Sequence, residues 1–174
     1  MEASPLILTL ALNEEASAFF NSLRKKYFPP ERNFLQAHLT LFHHLPPTES
    51  TVWDDIKTSA NQCAVLEAAI TDVVSIGKGV AYKIECLPLL QLHRTLQQKW
   101  QQWLTPQDKQ KLWPHVTVQN KATPAIVKHT LEKLKESFQP FTAYGTGLSL
   151  WRYEGGPWKF IETFPFQTNS QLLK

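Results

Sequence analysis

His38-Leu39-Thr40-Leu41 recurs later in the chain as His115-Val116-Thr117-Val118. Each phrase is a His, an aliphatic residue, a Thr and a second aliphatic residue. In an extended strand successive side chains point to opposite faces. His38 and Thr40 therefore share one face, and Leu39 and Leu41 anchor the other. His115 and Thr117 stand in the same relation to Val116 and Val118. Two strands are thus expected to present an imidazole and a hydroxyl each, on faces opposite their apolar anchors. The chain has only six His, so two matching phrases outweigh any other signal in it.

Working outward, the flanking text reads as alternating strands and helices. Pro5 to Leu12 is a nearly continuous apolar run, as a buried strand would be. It carries no basic leader, follows Glu2 and runs straight into Asn13-Glu14-Glu15, so a first strand is expected rather than a secretory signal. It is also too short to span a membrane. Asn13 has the chemistry of a helix cap, with two acids in the first turn, and Ala16, Phe19, Phe20, Leu23 and Tyr27 follow at helical spacing. The basic run Arg24-Lys25-Lys26 reads as a solvated helix end. Pro29-Pro30 stops this helix.

The first phrase falls in a strand over 36–42, followed by a helix over 49–60 with Val52, Trp53 and Ile56 inward. Residues 63–76 and 80–86 read as a strand pair about Gly77-Lys78-Gly79. Pro88 opens a helix with a stripe of Leu89, Leu92, Leu96, Trp100 and Trp103. Within it, His93 lies beside the stripe and is expected to be packed or half-exposed. Thr105-Pro106-Gln107-Asp108 has the pattern of a short helix start. The second phrase falls in a strand over 114–120, and Thr123-Pro124 opens a helix with Val127, Leu131, Leu134 and Phe138 inward. His129 falls on its solvent side. The aromatic stretch 141–166 reads as strands, divided into a hairpin by Gly155-Gly156-Pro157.

Laid side by side, residues 1–77 and 78–174 each read strand, helix, phrase-bearing strand, helix, strand. The expected fold is α+β. It is a bilobal duplicated unit whose two mainly antiparallel sheets face each other across a central cleft.

Composition narrows the function classes. An apolar fraction of 43% and six Trp are enough to fill a core, and a net charge of +3 suits a phosphate-bearing ligand without the long basic run of a DNA-binding surface. Cys63 and Cys86 do not form a zinc-type pair and read as free thiols of a reducing, cytoplasmic compartment. No cofactor is called for. Metal binding by His38, His43 and His44 is the weaker reading, because no acid or Cys lies in that stretch.

Two imidazoles across a cleft suit acid–base work near neutral pH. One takes a proton from an attacking water or hydroxyl and the other gives one to the leaving oxygen, as in-line displacement at phosphorus requires. The Thr hydroxyls are neutral donors for the non-bridging oxygens. The candidate catalytic set is therefore His38, Thr40, His115 and Thr117. Phe42, Trp113, Trp151 and Tyr153 are candidate substrate-stacking residues. By strand parity Phe42 shares the His38 face, and Trp113 and Lys121 share the His115 face.

The runs Gln36-Ala37-His38-Leu39-Thr40-Leu41-Phe42-His43 and Trp113-Pro114-His115-Val116-Thr117-Val118-Gln119-Asn120-Lys121 resemble the 2H phosphoesterase superfamily, and within it the 2′-5′ RNA ligase and cyclic phosphodiesterase branch. The resemblance implies metal-independent chemistry on RNA ends or nucleotides: opening of 2′,3′-cyclic phosphates to 2′-phosphates, or reversible 2′-5′ ligation. Carried over by motif, His38 and His115 are the acid–base pair and Thr40 and Thr117 clamp phosphate; the motif leaves both assignments of base and acid open, with His115 as base and His38 as acid the favoured one. Lys121 is then the candidate for the basic residue that relatives carry after the second motif. A monomer is expected. The alternatives are a non-catalytic RNA-end binding module and a phosphodiesterase for another cyclic or linear phosphodiester.

Overall fold

One long strand ties the molecule together. The computed structural model describes residues 3–168. In chain order these form β1 (Leu6–Leu12), α1 (Glu14–Tyr27), β2 (Leu39–Leu45), α2 (Ser50–Gln62), β3 (Leu66–Ser75), β4 (Val80–Glu85), α3 (Leu87–Trp100), β5 (His115–Gln119), α4 (Pro124–Ser137), β6 (Phe141–Tyr153) and β7 (Trp158–Pro165). The sheet order is β2-β1-β6-β3-β4-β5, with β7 also paired to β6, and every pairing between these strands is antiparallel. The first residues of β6, Phe141 to Gly145, pair with β3, and Gly147 to Tyr153 pair with β7. Its other edge, from Gly145 to Arg152, pairs with β1.

The α+β class and the antiparallel pairing are those expected. The two expected sheets are continuous through β6, forming one curled seven-stranded sheet among the described residues. Strands from 1–77 and 78–174 interleave, since β3 pairs with both β4 and β6.

The phrase-bearing strands β2 and β5 are the two ends of the sheet order, yet they touch. Strand twist accumulates across a sheet and coils it, so its edges are carried toward each other. This curl creates the cleft. Helices α1 and α4 cover β3, β4, β5 and the start of β6, while α2 packs on β6, β7 and α3. The core is one cluster running from Leu6, Leu8 and Leu10 of β1 through Phe20, Ile56, Ile84 and Trp100 to Leu148 and Leu150 of β6. Phe19, Phe20, Tyr82 and Phe141 meet mostly edge to face, locking α1 to the sheet.

Local chemistry departs from the expectation at three places. Asn13 sits at the start of α1 but its side chain caps no helix N–H; Oδ1 accepts from the Tyr144 N–H of β6 at 2.9 Å. Residues Thr105 to Gln110 form successive turns instead of a helix. There the Asp108 carboxylate, which a helix start would have used on its own amides, is turned toward β2. Arg24 is not solvated: it is 3% exposed, because it follows Ala16 and Phe20 at i+4 spacing on the buried face of α1.

Candidate active site

Both phrases are followed by a β-bulge at the matching position. In β2, Thr40 pairs with Thr9 and Phe42 with Leu8, so Leu41 is the extra residue. In β5, Thr117 pairs with Ala81 and Gln119 with Val80, so Val118 is the extra residue. A bulge resets the alternation of faces. Phe42 and Gln119 consequently turn to the buried side, at 0% and 2% exposure.

This corrects two expectations from parity. Phe42 does not share the His38 face: it stacks on His93 at 4.5 Å and meets Trp100 edge to face. Lys121 is also displaced from the parity that put it beside His115. It lies beyond the end of β5 with φ 57°, its N–H bonded to Asn120 Oδ1. The buried Gln119 instead donates through Nε2 to Thr130 Oγ1 of α4 at 2.8 Å.

The bulge in β2 is held from behind. His93 donates Nε2–H to the Leu41 carbonyl at 3.0 Å, and burial lowers its pKa. Of the packed and half-exposed places that its position beside the apolar stripe allows, His93 takes the packed one, at 3% exposure.

The two phrase histidines are held in the same way. His38 Nδ1 lies 2.7 Å from the Gln36 carbonyl, and His115 Nδ1 lies 2.8 Å from the Trp113 carbonyl. A carbonyl oxygen only accepts, so Nδ1 carries the proton in both rings. That leaves Nε2 of each neutral ring with a free lone pair. Each ring also has a tryptophan against it. His115 stacks on Trp113 at 4.4 Å, and His38 is tilted against Trp158 at 4.5 Å. Trp113 is 42% exposed, as a residue at a cleft mouth would be. Trp158 escapes a reading of the sequence because it belongs to β7, remote from either phrase. Trp151 stands 6.2 Å behind Trp158 and donates Nε1–H to Thr9 Oγ1 at 2.9 Å. Tyr153 lies elsewhere, in a larger cavity of about 690 Å³ with His44 and Trp103.

Thr40 and His115 line one cavity of about 170 Å³, joined there by His43, Asp108, Lys111 and Trp113. Residues of β2 and β5 therefore share one hollow. His38 feels the charges of His115, His43 and Arg24. Burial pushes its pKa down to about 4 and the Gln36 carbonyl opposes it; the Arg24 cation adds to the lowering, as does a proton on His115 or His43 whenever either ring carries one. Burial also lowers the pKa of His115, with the Trp113 carbonyl opposing and His43 reinforcing. Both rings are thus neutral at pH 7 before an anion arrives.

Arg24 completes the back of the site. Nη1 donates to the Thr117 carbonyl at 3.0 Å and Nε to Asn33 Oδ1 at 3.2 Å, and the guanidinium lies 4.0 Å over the Phe28 ring. Burial brings its pKa to about 10, so it stays a cation. None of the ion pairs among the described residues includes it. An unneutralised buried cation behind Thr117 biases the cleft toward anions. Its i+4 spacing from Phe20 is the signal that could have found it.

Among the described residues no three His, Cys, Asp or Glu side chains gather as they would round a metal ion. Thr40 and His115 line the cavity while His38 and Thr117 do not, and His38 and His115 are near enough for a charge on one to act on the other. A family model described as the 2′-5′ RNA ligase superfamily matches residues 12–157, and the chain belongs to that family. No curated protein matches it. Among solved structures, one titled as a phosphoesterase is similar with a TM-score of 0.63 at 16% identity, covering 95% of this chain and 99% of that one. The protein TT0787 of Thermus thermophilus is similar at 0.61 and 18%, covering 94% and 98%. LigT of E. coli, in a complex with 3′-AMP, is similar at 0.62 and 16%, covering 95% and 99%. LigT has also been crystallised with NADP+, with ATP and with phosphate.

Proposed function

We propose that the protein is a metal-independent phosphoesterase that opens 2′,3′-cyclic phosphates on RNA ends or nucleotides to 2′-phosphates, or makes and breaks 2′-5′ linkages by the same route. The observation that carries this reading is the matched tethering of the two histidines. Each Nδ1–H is spent on a carbonyl two residues back, which leaves Nε2 of each ring free for proton transfer. The nucleotides and phosphate held by LigT support a nucleotide substrate.

In the hydrolytic direction, His115 takes a proton from water as the oxygen attacks phosphorus. His38 gives one to the leaving ribose oxygen. Thr40 and Thr117 donate to the non-bridging oxygens as their charge grows. His38 enters this cycle protonated, although burial holds the free ring neutral. The phosphate anion supplies the missing stabilisation, so substrate binding takes up a proton. Trp113 and Trp158, each against a catalytic ring, offer faces for a base, with Trp151 supporting Trp158. The free thiols of Cys63 and Cys86 suit a reducing compartment such as the cytoplasm.

The test is incubation with a 2′,3′-cyclic mononucleotide in EDTA, with the product resolved by phosphorus NMR. A 2′-phosphate product that disappears in His38→Ala and His115→Ala is the expected result. Turnover retained in both variants would overturn the proposal.

A further inference from the structure

The cavity beside the two phrases holds a third imidazole that the reaction above does not use. His43 follows the bulge in β2, which returns its side chain to the open face. Its Nδ1 lies 3.1 Å from Asp108 Oδ1, and its side chain remains 48% exposed. Asp108 is fully engaged. Its two oxygens accept from the His43 backbone N–H at 2.8 and 3.0 Å, and Oδ2 accepts from the His44 N–H at 2.8 Å. Burial alone would raise the Asp108 pKa; the hydrogen bonds from the His43 ring and the two amides outweigh it and hold the carboxyl ionised. The loop carrying Asp108 is itself pinned to α3, where Gln97 Nε2–H₂ donates to the carbonyls of Asp108 and Gln110 at 2.8 and 2.7 Å.

The ring of His43 is thereby oriented. Asp108 fixes Nδ1 as the protonated nitrogen and leaves Nε2 as the free polar atom in the cavity. With Nδ1–H spent on Asp108, Nε2 is the polar atom of the ring left to meet a phosphate group that enters the cavity. Asp108 itself presents little repulsion, because it is buried and meets three N–H groups. Lys111 lines the same cavity, is exposed, and takes part in no ion pair among the described residues. One cavity is therefore lined by Thr40 and His115 of the two phrases and also by His43 and Lys111, which the reaction above leaves unused.

We propose that His43 and Lys111 form a second phosphate subsite, which takes a substrate phosphate other than the one being opened. The inference rests on the two-histidine reading and adds a preference to it. The enzyme favours a nucleotide that carries a second phosphate, whether a 5′-phosphate or the adjoining phosphodiester of an RNA end, over a bare cyclic mononucleotide. His43 and Lys111 are specificity residues in this role. Asp108 is a positioning residue that acts through His43.

Isothermal titration of the intact protein tests this without requiring turnover. Adenosine 2′-monophosphate is compared with adenosine 2′,5′-bisphosphate and with a dinucleotide ending in a 2′-phosphate. The second phosphate is expected to tighten binding at least tenfold, and the ligand that gains identifies its source. In His43→Gln and Lys111→Ala the gain should shrink to under twofold, with Lys111→Arg restoring it. Lys111 is exposed, so its variants keep the test open if the His43 change disturbs the loop. The absence of any gain in the unmodified protein, or an equal gain in both variants, would overturn the subsite. Loss of monophosphate binding in His115→Ala reports separately on the two-histidine site.

Discussion

The strands β2 and β5 carry the same backbone device and different supporting side chains. Each has a His tethered to the carbonyl two residues earlier, a Thr, and then a bulge that sends the next residue inward. Beyond that the two part. The bulge of β2 is held by the buried His93, and its next outward residue is His43 on Asp108. Behind β5, the inward residue is Gln119, bonded to Thr130, and the buried Arg24 holds the Thr117 carbonyl. The shared part is what the proposed proton transfer at phosphorus needs on its two sides. The unshared part differs in charge and donor type, and that is where a preference among substrates can be built.

The sharpest way to test the shared part is to remove each imidazole. His38→Ala and His115→Ala should each lower kcat by about 10²- to 10⁴-fold, the usual range for a lost general acid or base. The comparison breaks if one variant retains full rate. Thr40→Val and Thr117→Val come next, at about 10²-fold in kcat by comparison with a lost oxyanion donor. Steady-state kinetics on a 2′,3′-cyclic nucleotide measures both sets. If only one Thr matters, the functional symmetry ends at the histidines.

Stability should show the asymmetry in pH. The His38 pKa lies at about 4 in the folded protein, against about 6.5 in the unfolded chain. Below 6.5 the unfolded chain takes up the proton first, so stability is full above that pH. It is lost as pH falls from about 6.5 to 4, and this contribution levels off below. The loss is on the order of 1–3 kcal/mol. Urea titrations at pH 7.5 and 4.5 should show the difference narrowed in His38→Gln; an unchanged difference would place the pH sensitivity elsewhere.

The smallest effect expected is on the Arg24 side. Arg24→Met removes a donor from the Thr117 carbonyl and a positive charge that acts on His38. It should cost about 1–3 kcal/mol of stability, as for a buried acceptor left unpaired. NMR titration of the His38 ring should show its pKa rising. A pKa that does not rise would mean that Arg24 holds the strand without tuning the site.

Much of this is legible in the residues. The order of strands and helices follows from apolar periodicity, from Pro88 and Pro124 at helix starts, and from the Gly77 and Gly155 turns, which adopt positive φ. The four His and Thr positions follow from the repeat. Parity fails where a bulge intervenes, at Phe42 and Lys121, because a bulge depends on pairing with a neighbouring strand and leaves no mark in the strand's own alternation. Arg24 misleads because its charge suggests solvent while its spacing puts it with Phe20. Asp108 misleads because its local pattern fits a helix cap, whereas its carboxylate meets amides of β2 in the folded chain.

By itself the sequence determined that two strands each carry an imidazole and a hydroxyl two residues apart, since identity and spacing are local properties of a strand. Only the tertiary structure decided that the sheet's two end strands meet, that Trp158 lies against His38, and that Asp108 reaches His43. Those depend on the accumulated twist of seven strands and on contacts between segments far apart in the chain, which no local pattern encodes.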